Sequence, residues 1–168
     1  KFLNKALLLN SKRSEVFTSV AMLAMFYERD LVKTKVNLEQ ATRLNKNNVK
    51  VLHITAMYHL HMGEFDLAEK CSIATIQIDP LALPHYSMMA NICMSKGDYN
   101  LGMDYVNAAL AIEPDALPFI EFRGKLNLFL ARNEQAIEDL KYCYDCDRNN
   151  PLTIATLAYA YAKVGLYD

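Results

Sequence analysis

The chain is poor in the residues that interrupt or staple a fold. Its 168 residues include five Gly, five Pro, four Cys and no Trp. So little Gly and Pro excludes a collagen-like or low-complexity chain. Four cysteines at this length do not make a disulfide framework. Cys71, Cys93, Cys143 and Cys146 each fit a helical, mostly buried position, where a free thiol acts as a small hydrophobe. A reducing, cytoplasmic setting is the expectation. An excess of either charge is lacking too: 18 Lys and Arg against 19 Asp and Glu leave a formal −1. That balance gives no electrostatic reason to expect nucleic acid or an anionic membrane as partner. No apolar run approaches the ~20 residues of a membrane span. What remains is a chain 52% hydrophobic and 22% charged, a composition that folds. It opens on Lys1-Phe2-Leu3 without an initiator Met or signal-peptide pattern and stops at Asp168, where a helix should begin. Both ends read as cuts, so a fragment of a longer protein is expected.

The organising stretch is Leu83 to Ala116. It reads as a helix, a turn at Lys96-Gly97-Asp98, a second helix and a stop at Pro114. Gly63 and Gly97 stand 34 residues apart, as do Pro80 and Pro114. Gly165 lies two periods beyond Gly97. A fixed period of this length marks a repeat architecture. The full units are 15–48, 49–82, 83–116 and 117–150, flanked by half units at 1–14 and 151–168. The expected fold is all-α, one array of antiparallel helix pairs. In the first unit the turn is Glu28-Arg29-Asp30, without Gly, and Asn45 to Asn48 replace the Pro stop, since Asn tolerates turn conformations. The fourth unit has the least regular turn, Ala131-Arg132-Asn133.

Helix pairs need small residues where their backbones cross. The eighth place of the unit holds Met22, Ala56, Ala90, Gly124 and Ala158. The twentieth holds Thr34, Ala68, Gly102 and Ala136. The twenty-seventh holds Ala41, Thr75, Ala109 and Cys143. Larger residues fill the gaps at the eleventh place (Met25, His59, Cys93, Asn127, Tyr161) and the seventeenth (Leu31, Phe65, Tyr99, Asn133, Tyr167).

These spacings resemble the tetratricopeptide repeat (TPR) family over Glu15 to Asp168. The sequence departs from that pattern at Met22, Arg29, Asn133 and Arg148. The resemblance implies a right-handed superhelical solenoid whose concave face is formed mainly by first helices. It also implies a non-catalytic protein–protein interaction scaffold. Carried over place by place, the groove residues are Phe26, Tyr27, His53, Met57, Leu60, His61, Ser87, Met88, Asn91, Met94, Glu121, Phe122, Lys125, Leu128, Phe129 and Tyr159. Met and aromatic surfaces of this kind suit a protein or peptide segment with apolar anchors. The same side chains also suit packing between neighbouring helices. Asn91 could donate to and accept from a ligand's peptide bond. The Lys clamp of chaperone-binding members is not matched, because Ser19 and Leu23 occupy two of its places. More narrowly, Phe26 to Asp30 and Ile78 to Pro84 resemble the TPR arrays of bacterial transcription regulators, which gives a regulatory, effector-sensing region as the alternative function.

Chemistry finds little support. Cys143 and Cys146 share a helix face, but a zinc site needs four ligands and no second close pair exists. His53 and His61 share a face at a separation of about 12 Å, too far for one ion, and His59 should point into its helix pair. Neither a phosphate loop nor a nucleophile elbow nor an acid–base constellation is present. No enzyme activity, metal or cofactor is expected. Leu157, Ala158 and Tyr161 have no following helix to cover them, and that strip is expected to favour self-association.

Overall fold

A computed structural model of the chain describes residues 13–165. Among these residues there are nine α-helices and no strand. They are α1 (Ser14–Leu23), α2 (Leu31–Leu44), α3 (Val49–His61), α4 (Phe65–Ile78), α5 (Leu83–Lys96), α6 (Tyr99–Ile112), α7 (Leu117–Phe129), α8 (Asn133–Cys146) and α9 (Pro151–Lys163). The expected units 15–48, 49–82, 83–116 and 117–150 each hold one helix pair. The half unit 1–14 lies outside the described residues apart from Arg13 and Ser14, and so does Tyr167.

Local chemistry sets the helix ends. Asn48 and Asn150 hold equivalent places before α3 and α9. Asn48 Oδ1 accepts from the backbone N–H of Lys50 and Val51 at 2.9 and 3.3 Å. Asn150 Oδ1 does the same for Leu152 and Thr153 at 3.0 and 3.4 Å. Each thereby satisfies two of the donors that a helix start leaves open. Asp30 caps α2 by accepting from Lys33 N–H at 2.8 Å. Pro151 occupies the first turn of α9, where its missing N–H is no loss.

Within each pair the chain reverses through a left-handed residue at the fifteenth place. Gly63, Gly97 and Gly165 have φ of 73°, 83° and 79°, and Arg29 and Ala131 hold φ of 55° and 57°. The next residue's N–H then donates five residues back: Glu64 to His59 and Asp98 to Cys93 at 2.9 Å, Arg132 to Asn127 at 2.8 Å. The first unit is wider. A π-helical turn, Ala24–Glu28, follows α1, and Asp30 N–H reaches Ala24 O, six residues back, at 2.9 Å.

The chain divides into two compact units, residues 1–88 and 89–168, with the boundary inside α5. The sequence reading placed 1–168 in a single array. In unit 1, α1 packs on α2, both pack on α3, and α3 packs on α4. A core of Ala21, Met25, Leu38, Ile54 and Tyr58 lies between them. In unit 2, α7 packs on α6 and α8, and α9 lies on α8 and α7. Its core includes Leu128, Ala136, Leu140, Leu157 and Ala160. The small places do what the spacing requires. Thr34, Ala68, Ala136, Ala41, Thr75 and Ala109 are fully buried. A Cβ on Gly124 would lie 2.9 Å from Leu140 Cγ, so α7 and α8 cross there at a distance only Gly allows.

Three expectations need correction. Leu157 is not uncovered: it is buried in the unit 2 core beside Leu128 and Leu140, and Tyr161 is half-buried against the same core, leaving Ala158 as the open part of that strip. Leu31 is 38% exposed and fills no gap. Of the four cysteines only Cys93 and Cys143 are buried; Cys71 is half-buried and Cys146 is exposed.

Candidate functional site

In unit 1 the expected groove residues fall into two groups. Phe26 and Tyr27 ride on the π-helical turn. Phe26 meets His61 edge to face at 6.3 Å between ring centroids, and Tyr27 is 84% exposed. That turn leaves both aromatic rings out of the core. His61 Nδ1 lies 3.0 Å from Met57 O, a geometry in which the ring N–H donates to the carbonyl. The second group is more enclosed. His53, Met57, Leu60 and Ser87 are half-buried, and Met57 packs against the core. Met88 is 7% exposed and offers a partner almost no surface. His59 turns toward its own helix end, with Nδ1 2.6 Å from Glu64 Oε2.

Unit 2 gathers its share more closely. Met94 of α5, Lys125 and Phe129 of α7 and Tyr159 of α9 line one recess of about 470 Å³. Leu128 forms part of its wall, and Ser95, Thr156 and Lys163 complete it. Phe129 and Tyr159 are each 55% exposed. Phe129 is held by Tyr99, whose ring stacks on it at 4.6 Å and 9°. Stacking fixes the ring without covering its outer face, so it is presented at small entropic cost. Lys163 Nζ sits 5.5 Å above the Tyr159 ring. Lys125 Nζ pairs with Glu121 Oε1 at 2.5 Å and lies 6.0 Å from the Phe122 ring. Asn91 and Phe122 are half-buried and do not line the recess.

Ser95, Thr156 and Lys163 were absent from the residues expected in the groove. They occupy the sixth and thirteenth places of their units, which the family pattern already marks as groove-facing.

On another part of unit 2, Arg123 grips Asp139 with two bonds, Nε to Oδ2 at 3.0 Å and Nη2 to Oδ1 at 2.6 Å. Asn127 Nδ2 adds a third at 3.4 Å. Asp139 is buried, and this bidentate pair satisfies both of its oxygens. The hydrogen bond to Asp139 holds the Arg123 guanidinium above its ordinary range. These residues line a polar recess of about 340 Å³, in which the acid and the base pair with each other.

The Cys143 thiol is pushed up to about 11, chiefly by burial, with Glu121 and Asp139 adding to the shift. It stays protonated near neutral pH, and its Sγ lies 3.7 Å from Leu117 O. Among the described residues no three His, Cys, Asp or Glu side chains gather as metal ligands. No described helix is long and apolar enough to cross a membrane.

No family profile and no curated protein matches this sequence. Solved structures do match its fold. A thermophilic TPR protein of Thermus thermophilus is 16% identical, with 91% of this chain and 84% of that one covered and a TM-score of 0.76. PilF of Pseudomonas aeruginosa is 15% identical, covering 98% and 72%, at 0.79. A tetratricopeptide repeat protein of Parabacteroides merdae is 13% identical, covering 98% and 64%, at 0.81. The chain is thus an all-α protein of helix-pair repeats. Its fold is that of the tetratricopeptide repeat solenoids.

Proposed function

We propose that this chain is a non-catalytic scaffold that binds a segment of a protein partner, and that the unit 2 recess seats the segment's apolar side chains. The observation that carries this reading is the pair Phe129 and Tyr159. Both rings are more than half exposed on one recess, and one is braced by Tyr99. Exposed, pre-ordered aromatic rings are the usual anchors of protein recognition. Lys125 and Lys163 flank them, so a segment with a carboxylate near its apolar anchor suits the rim. Lys125 is already paired with Glu121, which leaves Lys163 as the stronger attraction. In unit 1, Phe26, Tyr27 and His61 form a second, smaller aromatic surface. The likeness to TPR structures agrees with this function but speaks to fold.

The test compares partner capture from cell extract by the chain and by its Phe129→Ala/Tyr159→Ala variant. Both side chains are exposed enough that the variant keeps its fold, which circular dichroism checks. Loss of the captured protein supports the proposal. Equal capture by both forms removes the recess from the binding site.

A further inference from the structure

Unit 1 buries two imidazoles against each other. His53 of α3 and His85 of α5 have ring centroids 6.0 Å apart and planes tilted by 54°. His85 is 5% exposed, and His53 is half-buried. Neither ring nitrogen of His85 has a hydrogen-bond partner, nor does the buried Nδ1 of His53. A neutral imidazole needs one donor and one acceptor satisfied. A protonated one brings a full charge and a second N–H. Buried charge without a partner is far costlier than buried polarity.

Little around the pair could compensate a proton. Asp79, at the C-terminal end of α4, is an anion whose charge acts on His85. On α3 the other two histidines are engaged elsewhere, His59 with Glu64 and His61 with the Met57 carbonyl. Lys50, Asp66 and Lys70 of α3 and α4 are exposed, and Glu69 is half-buried. Cys71 is half-buried, and burial pushes its thiol up, so it supplies no anion. Beside His85, Tyr86 donates its hydroxyl to Pro80 O at 2.8 Å.

We propose that the His53–His85 pair makes unit 1 a proton-sensitive module, closed while both rings are neutral and loosened where α5 meets α3 when one takes up a proton. Burial, and then the neighbouring ring, lower the basicity of His53. Burial lowers that of His85, and Asp79 opposes the effect only in part. Both rings therefore hold a proton less readily in the folded chain than in the unfolded one, where His titrates near 6.5. The stability linked to the neutral pair is complete above about pH 6.5 and is lost as pH falls below it. Each suppressed proton changes the unfolding equilibrium by up to about tenfold per pH unit.

The experiment is urea denaturation of the whole chain between pH 7.5 and 5.5, beside the His53→Phe/His85→Phe variant. The expected result is an unfolding constant that rises more steeply for the wild type than for the variant over that range, by up to about tenfold for each ring. Parallel loss of stability in both would overturn the proposal. Should the variant not fold, an NMR titration of the wild-type imidazoles decides. His53 and His85 still neutral at pH 6 support the switch, and ordinary titration of both defeats it.

Discussion

At the fifteenth place of the unit, one backbone angle matters more than residue identity. Five chain reversals use the left-handed region there, and two of them do so with Arg29 and Ala131. A residue with a Cβ costs roughly 1–2 kcal/mol in that region, whereas Gly enters it freely. Ala131→Gly should therefore stabilise unit 2 by about 1 kcal/mol in urea denaturation, and Arg29→Gly should do the same for unit 1. Gly124 has the opposite logic. Its added Cβ would meet Leu140 Cγ at 2.9 Å and Asp139 Cβ at 3.3 Å. Gly124→Ala should cost about 1–3 kcal/mol, seen as a lower midpoint in a thermal melt. The cysteines differ by burial in a way mass spectrometry can read. Cys146 is exposed, while the buried Cys143 is held protonated. Alkylation at neutral pH should label Cys146 first and Cys143 only as the fold opens.

At the scale of helices, the two Asn caps carry the clearest prediction. Asn48→Ala and Asn150→Ala each remove a side chain that accepts from two backbone donors. Each should cost about 1 kcal/mol, with amide exchange accelerating in the first turn of α3 or α9. Helix ends were legible in the sequence because their signals are local. Gly63, Gly97, Pro80 and Pro114 mark them without knowledge of any distant contact. The small residues at the twentieth and twenty-seventh places were legible for a related reason, since a crossing point leaves no choice of size. The π-helical turn at Ala24–Glu28 was not legible. It widens the closing hydrogen bond from five residues back to six, while Arg29 and the start of α2 keep their places in the unit. The candidate site was legible only in part. Repeat places mark Met94, Lys125, Phe129 and Tyr159, which line one recess. The same rule marks Met88, which is buried. A repeat place fixes direction along a helix; burial depends on which side chains of the next helix meet it, and no single unit encodes that.

For the whole molecule, the features that stand out among the described residues are surfaces. The buried acid Asp139 and the base Arg123 pair with each other. Phe129 and Tyr159 are aromatic side chains left more than half exposed on one recess. On the proposed scaffold function, the chemistry of the unit 2 recess predicts which partners it accepts. Peptides selected on the whole chain from a random display library should share a large apolar residue close to an acidic one. The most direct measurement is the affinity of such a peptide for the chain and for Phe129→Ala/Tyr159→Ala. Loss of two aromatic anchors should weaken it at least tenfold, on the scale of more than 1 kcal/mol for each anchor residue. Equal affinity for both forms, or selected peptides without an apolar anchor, would contradict the account.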